Sequence, residues 1–148
     1  MLRALLEHKQ AMLRLTAQDD DDLAVISAQM QDAVLKLADI NYNSKRRQFV
    51  LVTNRFAWDA IPEKLRRRSG LHFESVLSAK RIGFSNTGKD TILSLLAVTF
   101  EQTDAPAGIV TLAFSAGHSV RLEVECLDAV MADMGPAWST DFQPEHVG

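Results

Sequence analysis

Residues 119–126 read Ser-Val-Arg-Leu-Glu-Val-Glu-Cys, an unbroken alternation of apolar with polar or charged side chains. Successive side chains of a strand point to opposite faces, so Val120, Leu122, Val124 and Cys126 share a buried side while Arg121, Glu123 and Glu125 face water. Burial on one side only is the habit of antiparallel sheets, and the neighbouring segments extend the pattern. Residues 109–114 form a second strand across Ser115-Ala116-Gly117-His118, and 92–101, 71–84, 48–56 and 34–42 read as four more. Asn43 to Arg47 is a hairpin turn with a basic tip. Ser85 to Asp90 is a second hairpin turn, with Asn86 and Gly88 supplying positive φ angles. Residues 57–70 contain Pro62 and six charged side chains and read as a loop.

Helical signals flank the strands. Asp19 to Asp22 followed by Leu23, Ile26 and Met30 predicts a helix over 20–31, with acidic residues complementing the start of the helix dipole. Leu127, Val130, Met131 and Met134 have helical spacing before Gly135-Pro136, which predicts a short C-terminal helix, an extended continuation being the alternative. Residues 12–16 fit a strand, and Leu2, Leu5, Leu6 and Leu13 fit a helix face equally well. The expected fold is α+β: a mainly antiparallel, six- to seven-stranded bent sheet or partly open barrel, pleckstrin-homology-like by analogy of strand order, with one helix on its N-terminal side. Residues 13–138 are expected to form the domain, 1–12 an extension and 139–148 a tail. A doubly wound parallel sheet is excluded, because too few helices separate the strands.

Composition agrees with one ordinary domain: 148 residues, 47% apolar and 24% charged. Cys126 is the only cysteine, so no disulfide forms within a chain and no multi-cysteine metal site exists; its register predicts a buried, unreactive thiol. No apolar run approaches the about 20 residues that span a bilayer, and Arg3, Glu7, His8 and Lys9 interrupt the N-terminal leucines where a secretory signal would be apolar. A cytoplasmic protein without a membrane partner is expected.

Charge is less evenly spread. Residues 36–89 hold twelve of the sixteen Lys and Arg but only four of the nineteen Asp and Glu, a surplus of eight cations; the remainder holds four basic and fifteen acidic residues. Lys45, Arg46 and Arg47, then Arg66, Arg67 and Arg68, then Lys80 and Arg81 form the basic clusters. Such a stripe is the footprint of a phosphate-binding surface if it survives folding, and otherwise a set of solvated side chains. Asn54-Arg55-Phe56-Ala57-Trp58-Asp59 adds Arg55 and Trp58, since a guanidinium beside an aromatic can stack a base or grip an anion, although Phe56 and Trp58 fit a core plug as well.

No catalytic constellation emerges. Residues 83–90 match a phosphate-loop template except at the last place, where Asp90 stands for the magnesium-binding Ser or Thr and a β-prone run follows instead of a helix. His8, His72, His118 and His146 have no metal-ligand spacing. Ser115, Ser119 and His118 lack a nucleophile elbow, and His118 is expected as an exposed turn residue. Glu123 and Glu125 read as the wet side of a strand. His72 and His118, brought together beside a carboxylate, would be the minimum for an enzyme of unrecognised type. No cofactor or metal is expected.

Several strings carry a family resemblance: LAVISAQMQDAV at 23–34, FVLVTNRFAWD at 49–59, RRRSGLHFESVLSAKRIG at 66–83, LSLLAVTFE at 93–101, and the run from Ala105 through Trp138. Together they resemble the short bacterial proteins grouped as domain of unknown function 2948, over about residues 13–138. The resemblance implies no activity, cofactor or site residue. Because a well-formed small domain shows no catalytic constellation, the functional expectation is a non-enzymatic binding or protein-interaction module, meeting a protein partner or a second copy. An anion or nucleic-acid binder working through residues 45–81 is the alternative.

Overall fold

Asp19 opens the one α-helix among the described residues of the computed structural model, which covers residues 12–84, 87–140 and 143–144. Its carboxylate accepts the Asp22 backbone N–H at 2.8 Å, and Asp20, Asp21 and Asp22 occupy the first turn. The helix α1 (Asp20–Met30) buries Leu23, Ile26 and Met30 against the sheet. It ends where Gln31 turns extended and Asp32 takes a φ of 62°. Replacing Asp19 with Ala is expected to cost about 1 kcal/mol in a urea titration; an unchanged midpoint would deny the cap its role.

Among the described residues eleven strands follow in order: β1 (Arg14–Ala17), β2 (Ala33–Lys36), β3 (Ile40–Asn43), β4 (Gln48–Phe56), β5 (Leu65–Phe73), β6 (Val76–Ile82), β7 (Ile92–Gln102), β8 (Gly108–Phe114), β9 (Ser119–Val124), β10 (Ala129–Asp133) and β11 (Trp138–Ser139). Their order is β1-β10-β5-β4-β2-β7-β8-β9-β6, with β3 on β4 and β11 on β5; the sheet is open and its pairings are antiparallel. Two ribbons turn a corner together. The pair β5/β10 becomes the pair β6/β9 across Glu74-Ser75 and residues 125–128. The Glu74 N–H donates to the Asp128 carbonyl at 2.9 Å, and the Glu125 N–H to the Ser75 carbonyl at 3.0 Å. Both ribbons thereby keep their inner faces on one core, which Phe49, Leu51, Leu71, Phe73, Leu112 and Leu122 share with α1.

The antiparallel α+β expectation stands, with eleven strands among the described residues in place of six or seven. Residues 34–42 are not one strand: a 3-10 turn, Leu37–Asp39, interrupts them, its Leu37 and Ala38 N–H groups donating to the carbonyls of Thr91 and Lys89. Residues 71–84 break at Ser75, where φ is 57°. The loop expected over 57–70 ends at Leu65, because the charged run alternates faces as β5. The C-terminal helix expected over 127–134 is the strand β10, zipped between β1 and β5 with Ala129, Met131 and Asp133 buried at a period of two. Pairing on both edges satisfies its backbone in the sheet, and the pleckstrin-homology analogy loses its terminal helix.

The expected hairpin across 85–90 is overturned, since β6 and β7 do not pair and β8 and β9 lie between them; Ser85 lies outside the described residues. Gly83, with φ 82°, takes the left-handed conformation there; Asn86 lies outside the described residues. Cys126 is half-buried, because the β9 alternation stops once the Glu125 N–H leaves for Ser75. Residues 12–16 resolve in favour of a strand, β1.

Candidate binding site

Alternation along β4 and β5 puts Arg55 and Arg67 on the inner face, directly opposite each other and both buried. Two guanidinium groups so placed repel unless an anion lies between them. That anion is Asp133 of β10. Its Oδ1 accepts Arg55 Nε at 2.7 Å and Ser69 Oγ at 2.6 Å; its Oδ2 accepts Arg55 Nη2 at 2.8 Å and the Leu13 N–H at 2.7 Å. Arg67 Nε lies 3.9 Å from Oδ2, and Arg67 Nη1 donates to the Gly135 carbonyl at 3.1 Å. Asp59 takes the remaining Arg55 nitrogen at 3.1 Å.

Burial alone would push the Asp133 carboxyl up. The hydrogen bonds from Arg55, Ser69 and Leu13, with the Arg55 charge, outweigh it and hold the group below the usual carboxylate range. Burial likewise pulls the Arg55 guanidinium down, and Asp133 and Asp59 together raise it above its ordinary value. This cluster bolts β1, β10, β5 and β4 together. Arg55 and Arg67, expected among the phosphate-binding cations, are therefore closed off from solvent. Asp133 was not legible as their partner because its segment reads as a helix; its place in the two-residue period of Ala129 and Met131 is the signal that finds it.

Above the bolt the sheet opens. β2 meets β4 only at Val34 opposite Asn54. The chain then leaves through Leu37–Asp39, held away by its hydrogen bonds to Thr91 and Lys89. A cleft of about 410 Å3 results, walled by Val34, Leu35, Val52 and Ile92 and carrying Lys36, Asp39, Thr53, Asn54 and Arg68. Thr53 is buried, and its hydroxyl donates to the Ser69 carbonyl at 3.4 Å, joining the cleft floor to the bolt. Among the described residues, the side chains of Lys36, Arg68 and Asp39 make no ion pair or hydrogen bond.

The cleft borders the outward face of β4, β5, β10 and β1. Register places Val52, Gly70, Ala132 and Arg14 in one row and Val50, His72, Val130 and Thr16 in the next, with Arg68 beside Asn54. None of these outward strand positions is a carboxylate. Arg66 is on the same face but half-buried. Its Nη1 donates to the Asn54 carbonyl at 3.1 Å, and its guanidinium lies 5.9 Å from the Phe56 ring centroid. Burial lowers the Arg66 pKa, partly offset by nearby Asp32. Trp58 donates to the Gln31 carbonyl at 3.1 Å and meets Phe56 edge-on at 4.6 Å, so it plugs the end of the sheet. Ile92, Met134 and Trp138 are exposed.

The other candidates lie apart. Lys45, Arg46 and Arg47 form the β3–β4 tip, where Arg47 pairs with Glu125 at 2.5 Å. Lys80 stands opposite Arg121 on β6 and β9, and Arg81 lies 6.0 Å from the Phe84 ring. The basic stripe of the sequence is thus dispersed over three regions. His72 lies 4.0 Å from Glu74. His118, expected in solvent, is half-buried and stacks on Phe84 at 4.7 Å. Ser115 Oγ accepts the Ser94 N–H at 3.0 Å, Glu123 accepts from Ser78 at 3.3 Å, and residues 87–90 lead into β7 instead of a helix. No group of three or more His, Cys, Asp or Glu that could hold a metal occurs among the described residues. No helix among them is long and apolar enough to cross a membrane.

Comparison with known families matches the chain to the protein of unknown function family DUF2948 over residues 13–146. The match covers nearly the whole chain, and the chain belongs to that family. No curated protein and no solved structure matches it.

Proposed function

We propose that this member of the DUF2948 family is a non-enzymatic binding module whose ligand is single-stranded nucleic acid, taken on the outward face of β4, β5, β10 and β1. The observation that carries this is the cleft at the edge of that face, with Lys36 and Arg68 lacking an anionic partner among the described residues. Arg14 stands further along the same outward face, whose strand positions carry no carboxylate. Unpaired cations release counterions from a phosphate backbone, and an exposed sheet face with an apolar recess suits unstacked bases better than a duplex. Such a ligand accords with the cytoplasmic location expected from the sequence.

The test is fluorescence anisotropy with labelled RNA and DNA single strands of about 12 nucleotides. Three phosphate contacts predict an affinity loss of roughly 20-fold between about 50 and 200 mM salt. Lys36→Glu with Arg68→Glu is expected to abolish binding, whereas Lys45→Glu with Arg46→Glu, at the distant hairpin tip, leaves most of it. No binding at about 50 mM salt would end the proposal.

The exposure of Ile92, Met134 and Trp138 at the margins of this face favours a second reading, a protein partner or a second copy of the chain. Light scattering on a sizing column and capture from lysate separate the two readings.

A further inference from the structure

We propose that the cleft between β2 and β4 is a base pocket that selects guanine; this rests on the nucleic-acid reading of the adjoining face. Its volume, about 410 Å3, lies in the range of pockets that hold small organic ligands. Val34, Val52 and Ile92 offer apolar walls to a flat ring, and Ile92 is 65% exposed, so the mouth carries apolar surface that a base would cover.

The polar groups are selective. Asp39 is half-buried, and its carboxylate accepts no hydrogen bond and forms no ion pair among the described residues. An ionised carboxylate only accepts, and it does so best with two donors side by side. Guanine alone of the four common bases presents such a pair, N1–H and the N2 amino group. Adenine sets its N1 lone pair beside a single amino group, cytosine does the same with N3, and uracil flanks one N–H with two carbonyls. Each of these would turn an acceptor toward Asp39, and an unpaired buried acceptor is expensive. The Asn54 amide and the Lys36 ammonium are donors of the kind O6 requires, and Arg68 is placed at the rim for the attached phosphate.

The experiment is calorimetric titration of the full chain with the four nucleoside 5′-monophosphates, alongside anisotropy with a labelled oligouridylate. Guanosine monophosphate is expected to bind at least about 10-fold more tightly than the other three, the discrimination of one good bidentate contact. Asp39→Asn is expected to erase that preference while the oligouridylate, held by its phosphates, binds as before. Val52→Trp, which fills the recess, is expected to abolish binding of guanosine monophosphate. If the oligouridylate binds and the four monophosphates bind alike or not at all, the base pocket is refuted and the face reading stands. Should neither probe bind, both fall. A guanine preference that survives Asp39→Asn also overturns the assignment.

Discussion

Asp133→Asn lowers the stability of the domain by about 3–5 kcal/mol, the range for removing one partner of a buried ion pair. The asparagine keeps the shape and loses the charge, leaving Arg55 and Arg67 facing each other across β4 and β5 without an anion between them. Whole-domain stabilities are about 5–15 kcal/mol, so the variant is expected near the edge of folding. Urea titration measures the loss, and a drop below about 1 kcal/mol would mean the pair contributes little.

The effect carries a pH signature. Asp133 is held below the ordinary carboxylate value, so the unfolded chain binds its proton more readily than the folded one. The stabilisation is therefore complete above the unfolded pKa of about 3.9 and is lost as pH falls through the lower folded value. The gap between wild type and Asp133→Asn should stay constant from neutral pH down to about 5 and narrow below about 4. A gap that does not narrow there would remove Asp133 as a titrating contributor.

Gly108→Ala is expected to cost about 1–3 kcal/mol by overpacking. A Cβ at Gly108 would fall 2.4 Å from Phe100 Cε1 and 2.5 Å from the Glu101 carbonyl oxygen, a backbone atom that cannot rotate away. Phe100 and Gly108 sit diagonally on β7 and β8, two ladder positions apart, so the ring lies over the glycine where a side chain would otherwise stand. The cost should fall when Phe100→Leu is added, because part of the clash goes with the ring. Thermal unfolding of the two single variants and the double variant reads the coupling; additive losses would show that the ring and the glycine do not share that space.

These two sites differ in how openly the sequence announces them. Gly108 precedes Ile109-Val110-Thr111-Leu112, an obvious strand, yet nothing local marks Phe100 as the side chain that covers it. The Arg55–Asp133 pair joins residues 78 positions apart, and no window of sequence contains both. The cleft is less legible still. Lys36 and Arg68 come from separate segments, and the space between them exists because Leu37 and Ala38 hydrogen-bond to Lys89 and Thr91 instead of continuing along β4. The basic clusters were visible as composition, but β5 turns Arg67 inward and Arg68 outward, and a charge count cannot see that division.

Local pattern alone determined the antiparallel habit, the start of α1 at Asp19, the basic tip before β4 and the hairpin joining β8 to β9, since each depends on contacts a few residues apart. Tertiary structure alone decided that 129–133 is a strand, that β6 leaves β5 to pair with β9, which arginines are buried, and where the sheet opens. Those outcomes turn on which distant edge is free to take a backbone hydrogen bond and which distant charge is within reach. Neither quantity is written in the spacing of neighbouring residues.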